Sequence, residues 1–230
     1  MQIQSPVLVR IALLACAVST AAVGATSLRL SSPAAQSIDL AASLAAGRLR
    51  AVNREVRALP ARPGAVTVTE REGPGVVWIE GSDFSTGTID IDVRGRDVPQ
   101  QSFVGVAFGR RDDATYESVY LRPFNFRSPD VARRQNAVQY MFVPSHDWPR
   151  LRQEFPGEFE NPVDPAIAPT DWVQLRIVVA ERTVQIYVGN PTTPSLEVRR
   201  LGSAVRGMIG LWTGNNSDGA FANLRITSAR

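Results

Sequence analysis

Lysine is absent: all 25 basic side chains of this 230-residue chain are arginine. They are scattered among 22 acidic residues and leave a net charge of +3. No basic run resembles an arm that grips nucleic acid or a membrane surface, so neither partner is expected. A high-GC coding bias is the simpler reading of the arginine excess. Histidine occurs once, at His146, which excludes multi-histidine metal sites. Cysteine also occurs once, at Cys16. If that residue leaves with the leader described next, disulfides, thiol nucleophiles and thiolate metal sites are excluded together. A glycine-rich phosphate loop, a G-x-S-x-G elbow and a dinucleotide fingerprint are missing as well.

What is present begins with MQIQSPVLVRIALLACAVSTAAVGA, which has one positive charge at Arg10, an apolar run from Ile11, and small residues at Val23 and Ala25. This is the pattern of an export signal over residues 1–25, cleaved after Ala25. The apolar run is too short and too alanine-rich to serve as a stable membrane anchor. Leu13, Leu14, Ala15 and Cys16 can also be read as a lipoprotein box with Cys16 lipidated. The run before Cys16 is very short and small apolar residues continue past it, so ordinary cleavage and a periplasmic or extracellular location are the expectation. Residues 26–230 are expected to form one domain, a size ordinary for an all-β sandwich.

From Val76 onward the chain alternates with period two, in runs separated by Gly, Asn, Pro and Asp. GVVWIE, TGTIDIDVR, SFVGVAFG, YESVYLR, AVQYMFV, WVQLRIVVA, TVQIYV, SLEVRRL, MIGLWT and FANLRIT read as ten strands. Weaker ones precede them in RLRAVNREVRAL and AVTVT. SIDLAASLAAG reads either as a short helix ending at Gly47 or as an extended lead-in. In HDWPRLRQEFPG, Asp147 can cap a helix, Pro149 suits its first turn, Leu151 and Phe155 fall at i and i+4, and Gly157 can end it. The expected fold is all-β, a two-sheet antiparallel jelly-roll sandwich with at most one or two short helices. The least regular region is 145–170, and a loop of that length in a compact β domain tends to be functional.

The C-terminal third, WVQLRIVVAERTVQIYVGN followed by GMIGLWTGNNSDGAFANLRIT, resembles the closing strands of the concanavalin A-like lectin and glucanase superfamily, near its laminin G-like and 3-keto-disaccharide hydrolase groups. TGTIDIDVRGR and SFVGVAFG are similar to the early strands of that pattern. The resemblance implies a jelly roll. It specifies function poorly, because the superfamily contains lectins, glycosidases, lyases and structural modules.

Chemistry is sought first in YESVYLRPFNFR. On a strand, Tyr116, Ser118, Tyr120 and Arg122 share one face, while Glu117, Val119 and Leu121 take the other, where Val119 and Leu121 suit a core. Two phenols, a hydroxyl and a guanidinium can stack on a sugar ring and hydrogen-bond its hydroxyls, and Asn125 and Arg127 continue the row. The alternative is an aromatic and arginine cover on an outer sheet face. AVQYMFVPSHDW delivers His146 and Trp148 to one end of the sheet as lid candidates. His146 is the side chain whose ordinary pKa lies near neutrality, and Trp148 either stacks on a ligand or staples the loop.

Asp90 and Asp92 point the same way, and two carboxylates on one face are what a glycosidase needs. The related glucanases carry Glu-x-Asp-x-Glu there. Here the flanking positions are Thr88 and Arg94, so a polar outer face is the better account. Asn215 to Gly219 read as a turn. Calcium is held by such loops in many superfamily members, but the ligand set is incomplete, so no metal or other cofactor is assigned.

Three functional readings follow. The first is an exported domain that binds a carbohydrate or glycoconjugate through Tyr116, Tyr120, Arg122, Asn125, Arg127 and Trp148. The second is a glycoside or keto-sugar hydrolase with His146 or an acidic residue as general base. The third is a structural, laminin G-like module with a flat surface.

Overall fold

The computed structural model describes residues 1–2, 35–164, 166–189 and 192–229. Cys16 and the cleavage point after Ala25, on which the export reading turns, lie outside the described residues. Fifteen strands are present among the described residues. In chain order they are β1 (Ala35–Ile38), β2 (Leu49–Val52), β3 (Val56–Ala58), β4 (Val66–Val68), β5 (Gly75–Ile79), β6 (Gly87–Arg94), β7 (Val104–Phe108) and β8 (Tyr116–Leu121). There follow β9 (Val138–Val143), β10 (Glu160–Asn161), β11 (Val173–Val179), β12 (Thr183–Val188), β13 (Leu196–Arg199), β14 (Gly210–Thr213) and β15 (Gly219–Ser228).

They form two sheets in which every named pairing is antiparallel. The first has the order β13-β12-β11-β6-β15-β4-β3, with β1 added against β15. The second has the order β10-β9-β8-β7-β14-β5-β2. Neighbours such as β6 with β15 and β7 with β14 are distant in sequence, so the connections cross between sheets, as in a jelly-roll sandwich.

The sequence periodicity explains how the sheets differ. In β11, buried Val173, Leu175, Ile177 and Val179 alternate with the more accessible Gln174, Arg176 and Val178, and β6 behaves the same way. The first sheet therefore has one face on the core and one toward water. In β5, β7, β8 and β14 every residue is buried. The central strands of the second sheet are therefore covered on both faces, while β2, β10 and the end of β9 are partly accessible.

Both readings of SIDLAASLAAG are realised in turn. Ala35–Ile38 is the extended lead-in, and α1 (Leu40–Ala45) follows, with the Asp39 carboxylate accepting from the Ala42 amide at 2.8 Å and Gly47 left-handed just beyond (φ 68°). Helix α2 (Val131–Arg134) is a single turn capped by Asp130, and a 3-10 turn spans Pro123–Asn125. Helix α3 (Trp148–Glu154) forms where its cap signals place it. Asp147 accepts from the Arg150 amide at 3.2 Å, Pro149 sits in the first turn, and Gly157 is left-handed. The 145–170 region thus holds α3 and the short edge strand β10.

One polar cluster lies between the sheets. Glu117 faces the core with Val119 and Leu121 and is fully buried. Arg200, following β13, donates to it through Nε at 2.9 and 3.0 Å and through Nη2 at 2.7 Å. The Tyr140 hydroxyl donates to Glu117 Oε2 at 2.6 Å and accepts from the Leu201 amide at 2.9 Å. Burial and the adjacent carboxylate hold the Tyr140 phenol far above its ordinary pKa, so it remains a donor. Removing one partner of a buried pair strands the other charge. Glu117→Ala or Arg200→Ala should each lower the unfolding free energy by roughly 3–5 kcal/mol in chemical denaturation, while the double variant Glu117→Leu, Arg200→Met should lose less than the sum.

Candidate functional site

The outward face of the second sheet carries a cavity of about 660 Å³. Its floor is a cross-strand row. Trp212 of β14, Gly105 of β7, Tyr120 of β8 and Gln139 of β9 are direct partners in register, so their side chains leave the sheet on the same side. A Cβ at Gly105 would fall 2.0 Å from the Val119 carbonyl oxygen, so glycine is what lets β7 and β8 run there. Without a side chain between them, Trp212 and Tyr120 meet with ring centroids 4.8 Å apart. Met141 extends the floor along β9, and Phe103 stands edge-on to Tyr120 at 6.1 Å and to Phe124 at 5.6 Å.

At one end the lining is polar. Arg122 Nη2 donates to the Tyr120 hydroxyl at 2.7 Å and to Gln139 Oε1, which also accepts from that hydroxyl at 2.7 Å. Arg122 Nη1 donates to the Asn136 carbonyl at 2.9 Å, and Asn125 Nδ2 reaches the same oxygen at 3.2 Å. Arg122 is 4% exposed, and burial pulls its guanidinium below its ordinary pKa while raising the Tyr120 phenol. Asn125, equally buried, belongs to the lining, and its Oδ1 is shielded from solvent without a hydrogen-bond partner.

Helix α3 borders the cavity beside this polar end, since Arg122 and Arg152 approach the same Glu160 oxygen. Trp148 at its start is 48% exposed, and the Arg152 guanidinium lies 5.2 Å from its ring centre. Arg152 in turn grips Glu160 of β10 through Nε and Nη2 at 2.8–3.1 Å.

Of the side chains the sequence pointed to, Tyr120, Arg122, Asn125 and Trp148 line this cavity together. Tyr116 shares the face of Tyr120 but is sealed beneath neighbouring rings: it accepts from Trp212 Nε1 at 3.2 Å and packs edge-on against Trp78 at 5.5 Å. Arg127 is outside the lining and donates to the Ala166 carbonyl. His146 is also outside it, its Nδ1 3.0 Å from Ser145 Oγ and its ring beside Phe155. Trp212, Phe103, Met141 and Arg133 line the cavity without having been singled out from sequence. Trp212 lies in a recognisable strand, but only the β7–β14 pairing brings it beside Tyr120.

The remaining wall, which includes Pro74, Gly214 and Asn215, depends on Arg54. This buried cation meets only uncharged oxygens: Nε donates to Thr213 Oγ1 at 2.7 Å, Nη1 to the Asn53 carbonyl at 2.6 Å, and Nη2 to the Gly73 and Gly214 carbonyls at 2.7 Å each. Burial, with Arg71 nearby, lowers its pKa to about 10, so it is still charged at neutral pH. Asn215 Oδ1 accepts from the Gly73 amide at 2.7 Å and ties the same two loops. The Asn215–Gly219 turn thereby becomes part of the cavity rim. Arg54→Met would leave these carbonyls unanswered. It should reduce the unfolding free energy by roughly 1–3 kcal/mol or more and speed amide exchange at Asn216, whose N–H bonds the Arg71 carbonyl across these loops.

A second groove, about 820 Å³, lies on the water-facing side of the first sheet and includes Asp90, Asp92 and Trp172. Its main groups answer one another. Arg176 donates to Asp90 at 2.6 Å, Arg62 and Asn223 donate to Asp92, and the Arg62 and Arg94 guanidiniums lie 4.0 and 4.9 Å from the Trp172 ring centre. Among the described residues no group of three His, Cys, Asp or Glu is placed to hold a metal ion, and no helix is long and apolar enough to cross a membrane.

No family model and no curated protein matches the chain. Solved structures do. The carbohydrate-binding module CBM66 from Bacillus subtilis superposes with a TM-score of 0.57 at 11% identity, over 78% of this chain and 96% of its own. A Bacillus subtilis protein of unknown function with a galectin-like fold gives 0.56 at 11%, over 84% and 94%. The exoplasmic/lumenal domain of VIP36, in its Ca²⁺/Man3GlcNAc-bound form, gives 0.54 at 10%, over 84% and 89%. At such identities the likeness is one of fold. With its two antiparallel sheets and this strand order, the chain has the concanavalin A-like jelly-roll fold.

Proposed function

We propose that the chain binds a carbohydrate or glycoconjugate in the cavity on the second sheet, and does so as an exported protein. The observation that carries the reading is the make-up of the lining, where the rings of Phe103 and Trp148 offer apolar faces beside the polar side chains of Arg122, Asn125 and Arg152. Rings with a few convergent polar groups are the usual make-up of a small-ligand site. A saccharide matches both parts, since its C–H faces lie on rings and its hydroxyls donate and accept. Proteins of the same fold include a carbohydrate-binding module and a lumenal domain solved with a bound oligosaccharide, which supports the class of ligand. Export is supported by the N-terminal leader pattern.

Binding without bond cleavage is favoured by the carboxylates. Glycoside hydrolysis takes two that flank the scissile bond. Among the described residues Asp147 is the one carboxylate side chain in the lining, and it is engaged as the α3 cap. Asp90 and Asp92 open on the other sheet.

Glycan-array screening followed by calorimetry on the full chain should give a saturable saccharide ligand. Trp148→Ala should weaken that ligand by on the order of tenfold or more without shifting the melting temperature, because the ring is half exposed. Trp172→Ala, in the opposite groove, should leave binding intact. Absence of any saccharide ligand, or loss of binding only in the Trp172 variant, would defeat the proposal.

A further inference from the structure

The two halves of the cavity differ in chemistry. Its floor row crosses four neighbouring strands, from Trp212 on β14 to Gln139 on β9, a width of roughly 14 Å at the usual strand spacing. The β9 half, bordered by α3, carries Arg122, Asn136 and Arg152 beside the half-exposed ring of Trp148. Its guanidiniums are engaged within the protein, Arg122 by Tyr120, Gln139 and the Asn136 carbonyl, and Arg152 by Glu160. A sugar lying on Trp148 there keeps its hydroxyls beside polar side chains and open water.

The β14 half is walled by rings. Phe103, Tyr120, Trp212 and Pro74 line it, and the surface bounding the cavity is largely apolar. Gly214 and Asn215, on the same wall, direct polar atoms to the protein: the Gly214 carbonyl accepts from Arg54 and Asn215 Oδ1 from the Gly73 amide. Phe103 is fixed in place through its backbone. Its amide donates to Ser217 Oγ at 3.0 Å, and its carbonyl accepts from the Gly214 amide at 3.0 Å. The ring stays partly accessible. Sugar hydroxyls pushed against this half would lose water and gain few partners, which is unfavourable.

We infer, resting on the saccharide reading above, that the ligand is a glycoconjugate with a planar aromatic aglycone. Its sugar ring lies on Trp148 at the α3 rim, and its aglycone enters between Phe103 and the floor of Trp212 and Tyr120. A cavity of about 660 Å³ is in the range that buries a ligand of several rings. The aglycone displaces water from apolar surface, which is favourable in proportion to the area covered. Aromatic rings also meet one another in stacked or edge-on arrangements, as Phe103, Phe124 and Tyr120 already do. A rigid plane gives up less conformational freedom on binding than an alkyl chain of similar size.

The test is calorimetry of the full chain with methyl and phenyl glycosides of the same sugars (glucose, galactose, mannose and xylose), with hexyl glycosides and free phenol as comparisons. For at least one sugar the phenyl glycoside should bind about tenfold tighter than the methyl glycoside, a gap of ~1.4 kcal/mol, with the hexyl glycoside between them. Phe103→Leu, which keeps an apolar side chain against the 214–217 loop, should narrow the gap. Trp148→Ala should weaken both glycosides and preserve it. Equal binding of methyl and phenyl glycosides, or a hexyl glycoside as tight as the phenyl one, would overturn the aromatic-aglycone inference and leave the saccharide reading standing. A gap unchanged in Phe103→Leu would overturn the assignment to the β14 half. Should no glycoside bind while the glycan array yields a ligand, this inference fails alone. If free phenol binds as tightly as the phenyl glycosides, the sugar contributes nothing, and the saccharide reading fails together with this inference.

Discussion

Strand β8 is held in antiparallel register by β7 on one side and β9 on the other, and pleating then dictates where each of its side chains goes. Val119 and Leu121 are drawn to the first sheet by the hydrophobic effect, so Tyr120 must stand on the opposite face, with Arg122 emerging at its end. The same pairing sets Gly105 directly between Tyr120 and Trp212, which closes the floor with two rings. A slip of one residue in this register would send the phenols into the core and valine and leucine to the cavity. The cavity is therefore a consequence of core packing on the reverse side of one sheet.

Arginine does different work at three places in the fold, and the differences arise from what surrounds each guanidinium. Arg200 is buried between the sheets with a carboxylate and two backbone carbonyls as partners. Arg54 is buried with neutral oxygens alone, and it spreads its donors over two loops that a single carboxylate partner would not join. Arg122 is buried at the cavity wall, with Glu160 at a distance and shared with Arg152. Five donors in a rigid plane suit all three tasks, and the rounded ammonium of lysine would serve none of them equally well. A chain without lysine loses little by it at these positions.

The likeness to a carbohydrate-binding module, a protein with a galectin-like fold and the VIP36 lumenal domain is one of strand arrangement and is remote in sequence. Sandwiches of this kind keep their sheets while the loops and outward-facing side chains change, so function has to be argued from the side chains themselves. Here those are Asn125, Arg122, Phe103 and Trp148. The acidic pair that a hydrolase reading would want, Asp90 and Asp92, belongs to a different sheet and is already neutralised by Arg176 and Arg62.

The sequence by itself determined the strands, because alternation of side chains is a local property: the ten runs from GVVWIE to FANLRIT and the weaker ones before them all correspond to strands, and the Asp147 cap with Pro149 located α3. It also determined that Tyr116, Tyr120 and Arg122 share a face. Tertiary structure alone decided which of them meets the cavity. Tyr116 and Tyr120 are equivalent in the alternation, yet Tyr116 is sealed by Trp212 and Trp78 while Tyr120 reaches the lining. His146 and Arg127 are set aside from the lining by loop paths that no periodicity encodes. Trp212 and Arg54 act on Tyr120 and on the rim from 92 and 160 residues away along the chain, and Glu117 finds Arg200 across 83. Separations of that kind are set by the crossing order of the strands, which depends on the packing of the whole core and leaves no mark in any short stretch of residues.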